Sequence, residues 1–261
     1  MCIIKVKKLF LFDLDGTIYT ENVLIDGALE CLKAVVNKGG KYVFLTNNSS
    51  KNLNYYVNKL TGLGIEVNES NFYTSTLLTI DYLNDNFLNK KVYPVGTNLF
   101  VDELVEAGIN VTFNTNDAEC LVVAFDTELN YKKLNDASFL LSKKLPFVAT
   151  NPDLSCPVNF GFIPDCGSIC NMLYTVTGQQ AHFIGKPNRK MVDTVIAKNK
   201  FSQDETIVIG DRLYTDVACG INAEVTTAIV LTGETKFNDL EKSPYKPNFV
   251  LQSVKDLIAL I

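Results

Sequence analysis

The sequence predicts an α/β protein: a parallel sheet covered by helices, with a second α/β domain inserted into the first. Three observations lead there. Strand-like and helix-like runs alternate almost throughout, and the chain opens in a strand–helix–strand–helix order. A second alternating series, from about residue 75 to 180, has enough elements for a core of its own. With 261 residues, 47% apolar and 20% charged, the chain has ample material for both.

The elements follow in order. Residues 6–12 form an apolar run that reads as an interior strand. Asp26 can cap a helix bearing Leu29, Leu32, Val35 and Val36, closed by Gly39 and Gly40. Residues 42–45 are the next strand. Ser49 or Ser50 then opens a helix with Leu53, Tyr56, Val57 and Leu60 on one face, ended near Gly62. The middle series has strands at 92–95, 121–125 and 146–149 and helices around 100–107, 131–141 and 169–176. After it come a strand at 183–184, a helix near 189–198, a strand at 206–209 and a helix near 216–221. Strands at 226–231 and 249–251 and a helix from Ser253 complete the chain. The boundaries this suggests are 1–74 with 181–261 for the first domain and 75–180 for the insert. A single continuous sheet would give the same periodicity, so the pattern alone leaves both arrangements open.

Composition narrows the function. The net charge of −5 offers no general basic footprint for nucleic acid, though a local site can still be positive. The seven cysteines are odd in number and scattered without a CxxC, and the single His182 has no zinc partner at useful spacing. This points to reduced thiols and a cytoplasmic protein. Cys166 and Cys170 can share a helix face, but a metal role there is a weak reading. The basic N-terminus is a poor signal peptide because Asp13 and Asp15 break its apolar run, and no stretch approaches the ~20 apolar residues of a membrane span.

Four apolar runs end in chemically suggestive residues. "LFLFDLDGT" ends in Asp13 and Asp15, "KYVFLTNNS" in Thr46, Asn47 and Asn48, "AHFIGKP" in Lys186, and "ETIVIGDRLYTD" in Asp211 and Asp216. On a strand, Asp13 and Asp15 would start out on the same side. Two carboxylates ~5 Å apart repel by roughly 3 kcal/mol at an effective dielectric of about 20. A structure that keeps both needs a cation, a shared proton or a change of backbone direction, and Gly16 permits the last. Each polar group follows its strand, and open parallel sheets bind ligands outside those ends. Neighbouring strands would bring the four tips to one crevice. Asp13, Asp15 and Asp211 make an oxygen-rich set suited to Mg²⁺. Lys186, the Thr46 hydroxyl and the N–H groups of "TNNS" suit a phosphoryl group. Taken singly, Asp15 before Gly16 begins a turn, Lys186 before Pro187 is a solvated lysine, Thr46 caps a helix and His182 is an ordinary strand residue. No Walker A loop or GxGxxG supports a nucleotide cofactor.

Together, "DLDGT", "TNN", "GKP" and "GDRLYTD" resemble the four ordered motifs of the haloacid dehalogenase (HAD) superfamily of phosphohydrolases. "GDRLYTDVACGINA", "LTGET" and "ATNPD" resemble its NagD-like, p-nitrophenylphosphatase branch. The resemblance spans nearly the whole chain. It implies a Rossmann-like parallel-sheet core with a large α/β cap between the second and third motifs. It also implies Asp13 as the nucleophile, which forms an aspartyl-phosphate, and Asp15 as the general acid and then base. Mg²⁺ would be held by Asp13, the Asp15 backbone carbonyl and Asp211, and phosphoryl oxygens by Thr46, the Asn47 backbone and Lys186. Asp216 would support the metal shell or orient Lys186. The expected activity is Mg²⁺-dependent hydrolysis of small phosphate monoesters: sugar phosphates, nucleoside monophosphates or phosphoglycolate. A phosphomutase and a non-catalytic binding protein on the same fold are the alternatives. The partner is a small phosphorylated metabolite, with no nucleic acid and no membrane, and the protein a monomer or homodimer. In the insert, the Pro-, Gly- and Asn-rich stretch "ATNPDLSCPVNFGFIPDCGS" makes Asn151 and Asp153 candidate substrate contacts.

Overall fold

A computed structural model describes residues 3–261, so Cys2 lies outside the described residues. The chain divides into two compact units. One takes the residues up to Thr46, Val57–Tyr73 and Lys186–Ile261; the other takes Asn47–Tyr56 and Thr74–Gly185.

Among the described residues, the first unit is built on a six-stranded sheet. Its order is Phe249–Leu251, Thr226–Val230, Thr206–Gly210, Leu9–Phe12, Lys41–Thr46, Phe72–Thr74. All four residues of Leu9–Phe12 are buried, so the run is apolar without alternation. Phe12 stands level with Phe44 on one side and Ile209 on the other, in parallel register. The chain winds outward from Leu9–Phe12 through Lys41–Thr46 to Phe72–Thr74. It then returns on the opposite side with Thr206–Gly210 and winds outward again. The order therefore reverses beside Leu9–Phe12, where sheets of this kind leave a ligand crevice.

The helix Ala28–Asn37 turns Ala28, Cys31, Leu32 and Val35 inward. Its cap is not Asp26, as the sequence suggests. Gly27 is the N-cap with φ +80, and Asp26 pairs with Lys255 at 2.8 Å. The helix expected from Ser49 or Ser50 begins at Leu53 and runs to Gly62. Ser253 does cap the last element, reciprocally with Asp256, but that element is a 3₁₀ helix, Val254–Ala259. The helix expected near 216–221 opens as a wide π turn, Leu213–Val217, before Ala218–Asn222 continues it.

The second unit has a parallel sheet in the order His182–Phe183, Phe147–Ala149, Cys120–Val123, Val92–Val95. The helices Tyr131–Ser142 and Cys166–Thr177 close a core over it that includes Tyr93, Leu121, Val123, Leu140 and Ile169. One sequence expectation is corrected here. The strand carrying "HFIG" is the edge of this sheet, not a member of the sheet that ends in Asp13.

Elements that the sequence does not predict include Phe72–Thr74 and the helix Ser75–Asn86. The helix buries Ser75, Thr76 and Thr79 together with Leu78, Ile80 and Leu83, so its inner face carries no apolar period. Thr79 Oγ1 donates to the Ser75 carbonyl at 2.7 Å within the helix and Ser75 Oγ to the Asn47 carbonyl at 2.8 Å outside it, while Thr76 Oγ1 is buried with no partner. The stretch read as a loop after Asn151 contains an antiparallel hairpin, Ser155–Val158 with Gly161–Pro164.

The helix Asn98–Glu106 turns Glu103 inward beside Phe100 and Leu104. Its carboxylate oxygens are buried and make no hydrogen bond of ordinary geometry. Burial pushes the Glu103 carboxyl up from 4.5 to about 7; the Leu53 N–H offsets part of this and the nearby Glu106 adds to it. The folded state thus keeps a proton that the unfolded chain gives up between those values. Stability falls as pH rises through that window, and the cost is complete above about pH 7. Glu103→Gln should therefore raise stability at pH 8 relative to its effect at pH 4.5, by up to about 3 kcal/mol. Thermal unfolding of both proteins at the two pH values checks this, and an equal shift at both would refute it.

Candidate active site

Asp13 is the first residue past Leu9–Phe12, and its N–H still donates to the Ile209 carbonyl at 2.8 Å, so the sheet sets its direction. The chain then turns back at Gly16, φ +80, whose N–H donates to the Tyr19 carbonyl at 2.8 Å. Thr46 ends the neighbouring strand Lys41–Thr46 and is buried. Asp211 follows the strand Thr206–Gly210 on the other side. Asp216 comes from the π turn.

These tips meet. Lys186, 2% exposed, donates from Nζ to Asp13 Oδ1 at 2.6 Å, to Asp216 Oδ1 at 2.6 Å and to the Leu45 carbonyl at 3.1 Å. The other Asp216 oxygen accepts from the Arg212 N–H at 3.0 Å. Asp216 thus has both oxygens engaged, one of them by Lys186.

Asp211 Oδ2 accepts from the Glu234 N–H at 2.6 Å, while Oδ1 is buried with no partner. The backbone of Gly16 and Gly233 packs directly on Asp211. A Cβ on Gly16 would stand 2.7 Å from Asp211 Oδ2, and one on Gly233 2.0 Å from it.

The carboxylates of Asp13, Asp211 and Asp216 each place an oxygen within 4.8 Å of the others. The Lys186 ammonium pairs with two of these three acids, Asp13 and Asp216. Burial pushes the Asp13 carboxyl well up; Lys186 opposes this, and Asp216 and Asp211 reinforce it. Burial likewise raises Asp211 to about 7, with Asp216 adding to the effect and Arg212 working against it. Burial works against charge on Lys186, but Asp13 and Asp216 outweigh it and hold the ammonium above its ordinary value. An all-oxygen, over-acidic set with an orphaned buried oxygen on Asp211 has the chemistry of a hard divalent cation site, and the residues present suit Mg²⁺.

Asn47, Asn151 and Asp153 lie in the second unit, and all three are buried. Asn47 Nδ2 donates to Asp153 Oδ2 at 3.0 Å, Asn151 Nδ2 to the Asn47 carbonyl at 2.8 Å, and the Asp153 N–H to Asn151 Oδ1 at 3.0 Å. Ser75 Oγ also donates to the Asn47 carbonyl, at 2.8 Å. These contacts pin the backbone just after Thr46. The cysteines of the insert form no metal cluster among the described residues, and Cys166 and Cys170 are free and buried.

The sequence reading did not single out Gly233 and Glu234 as site residues, although both lie in the quoted "LTGET". Their signal was a Gly–Glu pair shortly after the strand Thr226–Val230. It also passed over Arg212, which pairs with Glu234 at 2.9 Å.

Residues 10–120 match a family described as haloacid dehalogenase-like hydrolase, and residues 183–257 a second HAD-hydrolase-like description. The ribonucleotide monophosphatase NagD of Escherichia coli is 31% identical over 245 residues, 94% of this chain and 96% of its own. An acid sugar phosphatase of Staphylococcus haemolyticus is 34% identical over 248 residues, covering 95% of this chain and 93% of that one. The crystal structure of a 4-nitrophenylphosphatase from Thermotoga maritima aligns with a TM-score of 0.94 at 34% identity, over 98% of each chain. Fold, motif order and relatives agree: this chain belongs to the haloacid dehalogenase-like hydrolases, as a NagD-like phosphatase.

Proposed function

We propose that this chain is a Mg²⁺-dependent hydrolase of small phosphate monoesters, acting through a phosphorylated Asp13. The observation that carries this is Lys186 Nζ at 2.6 Å from both Asp13 and Asp216, beside the unpartnered Asp211 oxygen. The substrate classes are sugar phosphates, nucleoside monophosphates and phosphoglycolate. The names of the acid sugar phosphatase and the ribonucleotide monophosphatase support the first two.

An Asp13 oxygen attacks phosphorus, and the bond from phosphorus to the leaving oxygen breaks. Asp15 gives its proton to that oxygen, and the alcohol departs. Burial raises the Asp15 carboxyl, against the pull of Lys59, Arg212, Lys186 and the Tyr19 hydroxyl, which favours a protonated donor. The Asp15 carboxylate then takes a proton from water as the water oxygen attacks phosphorus. The bond between Asp13 and phosphorus breaks, and inorganic phosphate leaves. Lys186 stays charged between two carboxylates and offsets negative charge on the phosphoryl oxygens. Thr46 and the Asn47 backbone, consecutive in the chain, hold those oxygens. Mg²⁺ would be held by Asp13, Asp211 and the Asp15 carbonyl, and it supplies electrostatic stabilisation of the transferring group.

Purified protein should release inorganic phosphate from 4-nitrophenyl phosphate and from a subset of a sugar phosphate, nucleotide and phosphoglycolate panel. EDTA should cut the rate by at least ~100-fold, and Mg²⁺ should restore it. A rate indifferent to both would remove the metal from the reading. An isomerised phosphorylated product in place of free phosphate would make the protein a mutase.

A further inference from the structure

The two carboxylate oxygens of Asp211 have unequal surroundings. The residue is 3% exposed; Oδ2 accepts from the Glu234 N–H at 2.6 Å, and Oδ1 is buried with no partner. The Thr235 N–H donates to the Asp211 carbonyl at 3.2 Å, so the turn that follows the strand Thr226–Val230 grips both the side chain and the backbone of this residue. Residues 232–236 of that turn belong to no helix or strand, and side chains hold them in place. Thr232 Oγ1 donates to the Gly16 carbonyl at 2.6 Å, and Lys236 Nζ to the Gly233 carbonyl at 2.7 Å. The third tie is ionic. Arg212, the residue after Asp211, holds Nε 2.9 Å from Glu234 Oε2, and both side chains are largely covered. The pair thus braces one hydrogen bond from both ends: Arg212 adjoins the acceptor, and Glu234 is the donor. No step of the proposed reaction passes through either side chain.

We propose that Arg212 and Glu234 are positioning residues for cation binding. Their ion pair keeps the Glu234 N–H on Asp211 Oδ2. With that oxygen taken, and the carboxylate pressed by the backbone of Gly16 and Gly233, Oδ1 is the oxygen left for a divalent ion. Without the pair the turn can draw back, and the carboxylate is free to rotate. The inference rests on the reading of Asp211 as a metal ligand.

The sign of the effect separates this role from simple charge. Mn²⁺, a hard ion that takes oxygen ligands as Mg²⁺ does, serves as the probe. Its binding is read without substrate from the electron paramagnetic resonance signal of the free ion, with Mg²⁺ as competitor. The proteins are the parent, Arg212→Met, Glu234→Gln, the double variant and Asp211→Asn. Both single variants should weaken Mn²⁺ binding by ~10-fold or more, as when the partner of a metal ligand is removed. The double variant should be no weaker than the worse single, because only one device is lost. Charge alone predicts otherwise. Arg212→Met would then tighten binding, Glu234→Gln would loosen it, and the double variant would return to the parent. Opposite signs therefore overturn the proposal. Single variants within ~3-fold of the parent, beside an Asp211→Asn protein that binds poorly, also overturn it and leave Asp211 as a ligand. If Asp211→Asn binds like the parent, the ligand reading falls and the positioning role with it. Thermal midpoints in EDTA should stay within about 3 °C of the parent, since a partly exposed ion pair contributes little to the fold. A fall well beyond that in both single variants would make the pair a structural brace and would also overturn the proposal.

Discussion

Asp13→Asn is expected to lower the rate of phosphate release by at least about ten-thousand-fold while the protein stays folded. The amide is close in shape to the carboxylate but is a poor nucleophile toward phosphorus. The same change should make the metal-free protein more heat-stable. In the native site three carboxylates crowd within 4.8 Å of one another, and one ammonium pairs with two of them. Each like-charge contact at that range costs up to about 3 kcal/mol at an effective dielectric of about 20. A neutral amide in place of the Asp13 carboxylate would relieve two of these contacts, and Lys186 would keep Asp216 as its partner. A net gain of even 1 kcal/mol would raise the unfolding midpoint by ~2–4 °C. Phosphate release and thermal unfolding in EDTA test both halves. Turnover within about tenfold of the parent would remove Asp13 as nucleophile. A lower midpoint would mean that the Lys186 contact outweighs the repulsion.

Lys186→Met should have the opposite balance, with stability and activity falling together. Lys186 is buried and donates to Asp13, Asp216 and the Leu45 carbonyl. Its removal leaves two buried carboxylates uncompensated, a loss of about 3–5 kcal/mol. The rate should drop by about a hundred- to a thousand-fold, as when one fixed positive group is taken from a developing charge. A double variant, Lys186→Met with Asp216→Asn, separates the two effects. It should recover part of the stability, because one orphaned charge is gone, and none of the activity. Denaturant unfolding of the single and double variants beside phosphate release makes the comparison. A fully stable Lys186→Met protein would contradict the electrostatic account.

Much of this architecture can be read in the sequence because its signals are local and strong. Leu9–Phe12, Val92–Val95 and Thr206–Gly210 are short β-rich apolar runs bounded by polar residues, and their strand character needs no tertiary knowledge. The sheet order then puts the tips holding Asp13, Thr46 and Asp211 on adjacent strands. Lys186 shows where that logic stops. Its preceding strand joins the other sheet, so the lysine comes to Asp13 from the segment after that strand and not from a neighbouring tip. The helix Ser75–Asn86 was hidden for a different reason. It buries Ser75, Thr76 and Thr79 among its apolar residues, and no hydrophobic period records that face. Asn151 and Asp153 were legible as polar residues in a long connection. Their occupation with Asn47 depends on contacts made across about a hundred residues of chain, which spacing does not encode.

The wide turn at Leu213–Val217 makes residue count the sensitive variable in this part of the chain. Its Val217 N–H reaches back five residues to the Arg212 carbonyl at 3.2 Å, one more than an ordinary helix would allow. The surplus residue sets the angle at which Asp216 meets Lys186. Losing one position would wind the segment back to normal pitch and rotate everything beyond it by about 100°. The carboxylate would then swing away from the ammonium. The length of this stretch is therefore as constrained as Asp216 itself, and an insertion or deletion here would disarm the site without altering any residue that forms it.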